Sequence, residues 1–194
     1  MNIGIDIDDT ISKTSEMIDI VAKKFTENEL KREFTINELD VTDPYWAKDT
    51  YNWTDEECDK FFEKYYEEVM INVKPKEDAV KIINTLAKEN KIIIITARWD
   101  KENKIMAKIT QNWLEKHKIH YDKLFVGHKD KRELVTQNNV EIFIDDNYKT
   151  CKQISELNVR TLIMNSRLNK SIRDDKLERV FSWKEIEEKI KEEN

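Results

Sequence analysis

Between Lys91 and Ala97 the chain places Ile92-Ile93-Ile94-Ile95 in unbroken succession. Successive side chains of a strand point to opposite faces, so a half-exposed strand alternates apolar with polar residues. Four β-branched residues in a row leave no polar face, and the segment needs cover on both sides, as strands of a parallel sheet have. Other short apolar runs can pair with it: Ile3 to Ile7, Leu124-Phe125-Val126, Glu141 to Ile144, Arg160 to Met164, and a brief Val180-Phe181 at an edge. Helical spacing separates them. Ala79, Val80, Ile82, Ile83, Leu86 and Ala87 follow Pro75, read as a first-turn proline, and Ile105, Met106, Ile109, Trp113 and Leu114 repeat the pattern after the isoleucine run. Thr54 with Glu57, and Ser182 with Glu185, have the spacing of capping boxes and predict two more helix starts. Strands alternating with helices predict an α/β fold, a Rossmann-like, mainly parallel sheet with helices on both faces.

One stretch breaks the alternation. Residues 14–74 carry helical patterns, no convincing strand, and a dense set of aromatics including Phe25, Phe34, Trp53, Phe61, Phe62, Tyr65 and Tyr66. This predicts a helical cap inserted after strand one, with residues 1–13 and 75–194 forming the core. Most of these aromatics should glue the cap together. Tyr45 and Trp46 follow Pro44 in an irregular stretch and are the better candidates for stacking on a bound ring.

The ends of two strands carry the chemistry. Asp6-Ile7-Asp8-Asp9-Thr10 closes the first apolar run, and Val140 to Ile144 runs into Asp145-Asp146. Residues two apart on a strand share a face, so Asp6 and Asp8 can address one site. In open parallel sheets ligands sit beyond the carboxyl ends of the strands, where strand order reverses, and Thr96 ends the isoleucine run at that same edge. Two like charges ~4 Å apart cost about 4 kcal/mol at an effective dielectric near 20. Converging carboxylates therefore call for a divalent cation, and all-oxygen ligands favour Mg²⁺. The plainer readings are a polar turn capped by Thr10, and a helix N-cap at Asp145-Asp146-Asn147.

Composition removes several function classes. With only Gly4 and Gly127, neither a GxGxxG fingerprint nor a phosphate-binding P-loop can be written. A net charge of −6 with no basic block argues against a nucleic-acid polymer as partner. Two cysteines, Cys58 and Cys151, without metal-ligand spacing, argue against a disulfide framework or zinc site and for a reducing, cytoplasmic setting. The chain enters a strand at once, without a leader pattern, and holds no apolar run long enough to span a bilayer. His117, His120 and His128 read as surface or helix-end residues.

Asp6-Ile-Asp-Asp-Thr10, Thr96, Lys131 and Asp145-Asp146, in that order, resemble the motifs of the haloacid-dehalogenase-like phosphohydrolase superfamily. The insert after the first motif, with Ile95-Thr-Ala-Arg98 and Phe143-Ile-Asp-Asp146, resembles its 5′(3′)-deoxyribonucleotidase branch. The resemblance implies Asp6 as nucleophile forming an aspartyl-phosphate, Asp8 as general acid and base, and Thr10 orienting Asp8. It implies Mg²⁺ held by Asp6, the Asp8 carbonyl and Asp145, with Asp146 in support, and phosphate bound by Thr96, Ala97 and Lys131. Lys129 is the competitor for the lysine role and a candidate secondary contact. The implied substrate is a small phosphomonoester, foremost a (deoxy)nucleoside monophosphate, with a sugar phosphate as the nearest alternative and a phospho-accepting receiver domain as the alternative of another class. Oligomeric state stays open, a homodimer included.

Two positions depart from the pattern. Asp9 stands where many members have Gly, and Ala97-Arg98 replaces the Ser-Pro that follows the threonine in well-known deoxyribonucleotidases. One phosphate-binding hydroxyl is missing, which makes Arg98 a candidate contact to phosphate or sugar.

Overall fold

The computed structural model describes residues 1–38, 46–99 and 105–192, with the side chain of Trp46 excepted. Six parallel strands form one sheet in the order β3-β2-β1-β4-β5-β6: β1 Asn2–Ile5, β2 Lys91–Thr96, β3 Lys123–Val126, β4 Ile142–Asp145, β5 Arg160–Met164 and β6 Glu178–Val180. The isoleucine run sits where its composition requires. Ile92 and Ile94 join one buried cluster with Ile3, Ile5, Ile142, Ile144 and Leu162, while Ile93 and Ile95 join another with Phe143, Val135 and Ile154 on the opposite face.

Helices α4 Ala79–Leu86 and α8 Trp183–Lys191 supply Ile82, Ile83, Ile186 and Ile190 to the first cluster. Helices α6 Arg132–Gln137 and α7 Tyr148–Ser155 supply Val135 and Ile154 to the second. Pro75 does not open a helix. It forms an antiparallel bridge with Ser12, and α4 begins only at Ala79 after Asp78 turns through a left-handed conformation at φ 59°. Proline at a strand-like crossing suits its fixed φ and missing donor as well as a first turn does.

Between β1 and β2 lie α1 Thr14–Asn28, α2 Trp46–Tyr51 and α3 Asp55–Asn72. They bury their own aromatic cluster, Phe25, Tyr51, Trp53 and Phe61, joined by Met106 from α5 Ile105–Lys116. Phe25 meets Trp53 edge-on at 5.2 Å, and the Trp53 indole donates to Thr26 Oγ1 at 3.0 Å. Arg167, in the loop after β5, grips Asp19 of α1 through both carboxylate oxygens at 3.0 and 2.9 Å, and the Tyr51 hydroxyl donates to the same carboxylate at 2.6 Å. The insert is thus tied to the carboxyl edge of the sheet by a charge-assisted bond as well as by α5.

Candidate active site

Strand order reverses between β1 and β4, and the acidic side chains gather there. Asp6 follows β1 directly, and its N–H donates to the Ile144 carbonyl at 2.9 Å, which holds it beside β4. Asp145 is the last residue of β4. Lys131, at the N-terminus of α6, extends its ammonium between them, 2.5 Å from Asp6 Oδ1 and 2.7 Å from Asp145 Oδ2. All three side chains are buried. The ammonium also lies 5.6 Å from the Phe143 ring centre. That ring fits because Gly4 has no side chain: a Cβ there would come within 2.6 Å of Phe143 Cδ2.

Asp8 reaches the site by a turn, not by strand alternation. β1 stops at Ile5, and the N–H groups of Thr10, Ile11 and Ser12 all converge on the Ile7 carbonyl at 3.2, 2.8 and 2.9 Å. Asp9 takes the left-handed conformation this turn demands, φ 54°, which explains why glycine suits the position. An aspartate is accommodated because its carboxylate accepts from the Ser15 N–H at 2.9 Å and from the Ser15 hydroxyl, at the start of α1.

Asp8 is not oriented by the Thr10 hydroxyl, which is buried without a hydrogen-bond partner while the Thr10 carbonyl accepts from Trp183. Thr14, the first residue of α1, donates to Asp8 Oδ1 at 2.7 Å instead. The turn swings Thr10 inward and brings the helix start over the carboxylate. Arg98 completes the hold, with Nη2 2.7 Å from Asp8 Oδ1 and Nε 3.0–3.1 Å from both oxygens. The sequence makes Arg98 a candidate phosphate or sugar contact, yet its side chain is buried and committed to Asp8.

Thr96 ends β2, fully buried, with its hydroxyl accepting from the Arg98 N–H at 3.3 Å, and Ala97 beside it is exposed. Lys129 is exposed, two residues from the buried Lys131. Tyr45 and the Trp46 side chain lie outside the described residues. Trp99, which sequence reasoning did not single out, directly follows Arg98 and is 51% exposed.

The electrostatics are dominated by carboxylates. Burial pushes the Asp6 carboxyl up to about 7, with Asp145 and Asp8 adding to the push and Lys131 opposing it. Burial also works to raise Asp8, but the charge and hydrogen bonds of Arg98, helped by Thr14, hold it below the ordinary carboxylate range. Asp146 is raised well above its usual value by burial and by its neighbours Asp9, Asp145 and Asp6. Lys131, which burial alone would lower, is raised by Asp145 and Asp6.

Among the described residues, Asp6, Asp8, Asp145 and Asp146 thus cluster around Lys131 and Arg98, and Asp9, with Lys76 acting on it, lies beside them. Asp6, Asp145 and Asp146 each offer an oxygen within 4.8 Å of the others'. The upward push on the Asp6 and Asp146 carboxyls marks a concentration of negative charge at the site. Such a set fits a hard divalent cation.

A family model described as 5′ nucleotidase, deoxy (pyrimidine), cytosolic type C protein matches residues 1–193. The chain belongs to this family. It is accordingly a haloacid-dehalogenase-like phosphoric monoester hydrolase, with a nucleotidase of Clostridium acetobutylicum 29% identical over 187 residues, 96% of this chain and 91% of that protein. The Bacillus subtilis protein YqfW is 28% identical over 191 residues, 95% of this chain and 91% of that one. Among solved structures, a haloacid dehalogenase-like family hydrolase from Streptococcus pneumoniae superposes with a TM-score of 0.67 at 14% identity, covering 97% of both chains. That likeness concerns the fold. No described helix is long and apolar enough to cross a membrane.

Proposed function

We propose that this phosphohydrolase is a Mg²⁺-dependent 5′(3′)-nucleotidase that hydrolyses (deoxy)nucleoside monophosphates through an aspartyl-phosphate on Asp6. The observation that carries the reading is the convergence of Asp6, Asp145 and Lys131, all buried, at the carboxyl edge where strand order reverses. A carboxylate kept out of water and flanked by a fixed ammonium is suited to attack phosphorus. Asp6 forms a bond to phosphorus as the ester P–O bond breaks, and Asp8 gives its proton to the departing oxygen. Asp8 then takes a proton from water, whose oxygen attacks phosphorus, releases phosphate and restores the Asp6 carboxylate. The phosphate dianion brings negative charge beside Asp8, countering the Arg98 charge that otherwise keeps Asp8 ionised.

Mg²⁺ would be held by Asp6, the Asp8 carbonyl and Asp145, with Asp146 in support, supplying positive charge against the negative charge of the phosphoryl oxygens. Lys131, Thr96 and the exposed backbone at Ala97 would bind those oxygens. The helical insert acts as a cap that keeps bulky phosphoesters and water from the carboxylates. Trp99, exposed next to Arg98, offers a face for a nucleobase, which favours nucleotides over sugar phosphates. A cytoplasmic setting fits the two buried free cysteines.

Phosphate release from ribo- and deoxyribonucleotides beside sugar phosphates, with Mg²⁺ and with EDTA, tests the reading. Turnover should require Mg²⁺, favour nucleotides, and disappear in Asp6→Asn while the fold is kept. Equal rates on sugar phosphates would remove the nucleotide assignment, and an active Asp6→Asn protein would remove the nucleophile.

A further inference from the structure

We propose that Arg98 and Thr14 are positioning residues that saturate one oxygen of Asp8 and leave a lone pair on the other to exchange the proton with the leaving group. This rests on the reading of Asp8 as general acid, and deepens it. Asp8 Oδ1 accepts from the Thr14 hydroxyl at 2.7 Å, from Arg98 Nη2 at 2.7 Å and from Arg98 Nε at 3.1 Å. The Thr14 hydroxyl and Nη2 already fill the two lone pairs of that oxygen, so Oδ1 is saturated. Among the described residues Oδ2 accepts only the Nε–H, at 3.0 Å, and keeps a lone pair. The Asp8 side chain is 30% exposed while that of Arg98 is 0% exposed, so the grip comes from the buried side and the carboxylate keeps an open side for a reacting group.

The guanidinium itself is fixed. Its carbon lies 5.5 Å from the Trp113 ring centre, and its Nη1 is buried without a hydrogen-bond partner, so among the described residues no second carboxylate bonds to it. A planar fork held this way sets the plane of the carboxylate, which a lysine at the same position cannot do. In the first step the Oδ2–H bond breaks as the proton passes to the ester oxygen, the P–O ester bond breaks, and the Asp6–phosphorus bond forms. In the second, Oδ2 accepts a proton from water. Arg98 contributes orientation to both and contacts no substrate atom.

Leaving groups of different acidity separate this role from others. A nucleoside alkoxide needs the proton, whereas p-nitrophenolate leaves without much help. In Arg98→Lys, kcat on a nucleoside monophosphate should fall about 10- to 100-fold, part of the roughly 10²–10⁴ that a general acid supplies. KM should stay within about 2-fold, and the rate of aspartyl-phosphate formation from p-nitrophenyl phosphate should fall by less than about 3-fold. Thr14→Val should show the same pattern at about 3-fold on the nucleotide, and it decides the matter if Arg98→Lys does not fold. Asp8→Asn serves as the reference and should discriminate between the two substrates most strongly.

A raised KM with kcat preserved makes Arg98 a substrate contact and overturns the proposal. Equal losses on both substrates make it merely structural and overturn it too. If Asp8→Asn itself fails to discriminate, the acid assignment falls and the positioning role with it. Discrimination by Asp8→Asn alone removes only the role of Arg98 and Thr14.

Discussion

Gly4 illustrates how a position with no chemistry of its own can govern a site two residues away. A methyl group there would lie 2.6 Å from Phe143 Cδ2 and 3.0 Å from Val140 Cγ1, too close to both. Phe143 in turn supports the Lys131 ammonium between Asp6 and Asp145. Gly4→Ala should cost about 1–3 kcal/mol by overpacking, read from urea denaturation. Phe143→Leu in the same chain should recover part of that loss, and a double variant no more stable than Gly4→Ala would show that the ring is not the obstacle. Trp99 poses the complementary case, a large apolar side chain left in water directly after Arg98 in the chain. If it stacks on a base, Trp99→Ala should raise KM for nucleoside monophosphates by about 5-fold or more, since such stacking contributes roughly 1–3 kcal/mol. KM for sugar phosphates should not move. A parallel rise for both classes would take Trp99 out of base recognition.

At the scale of elements, local chemistry was legible where one residue decides the outcome. Thr54 caps α3 as its spacing predicted: its hydroxyl accepts from the Glu57 N–H at 3.2 Å, and the Glu57 carboxylate accepts from the Thr54 N–H at 2.9 Å. Thr54→Ala should cost about 1 kcal/mol of unfolding free energy, measured by chemical denaturation, and a loss near zero would mean α3 is held by its packing alone. Ser182 is only half such a box, because Glu185 reaches the Phe181 N–H in place of that of Ser182. Pro75 misled because a proline fits a first helical turn and a bridge equally well, and only the tertiary partner Ser12 distinguishes them. The isoleucine run could not mislead, since no alternation survives in it. Asp6 and Asp8 were placed together for a wrong local reason. The strand ends at Ile5, and a turn through Asp9 replaces the alternation that would have aligned them. Nothing in the order of residues disclosed that Thr14 and Arg98 would meet at Asp8, because Arg98 is ninety residues away and its partner is chosen by the fold.

The whole molecule couples its acidic centre to its stability. Folding takes Asp6 out of water and lifts its carboxyl to about 7, against roughly 3.9 in an unfolded chain. Without a cation, the native state therefore keeps a proton that the unfolded state has lost throughout that interval. A native state that binds more protons loses stability as pH rises, so metal-free protein should weaken as pH climbs from about 4 through 7. Asp146, also raised, adds in the same direction. A divalent cation binds the ionised carboxylates and competes with those protons, so its stabilisation should grow over the same range. Thermal unfolding in EDTA and in Mg²⁺, between about pH 5 and 8, reads both slopes at once. In EDTA the melting temperature should decline with pH more steeply for the natural chain than for Asp6→Asn, which has no proton to lose. The increment given by Mg²⁺ should widen with pH and shrink in Asp6→Asn. An increment that is flat across the range, or undiminished by Asp6→Asn, would mean that the cation is held elsewhere than at the carboxylates of β1 and β4.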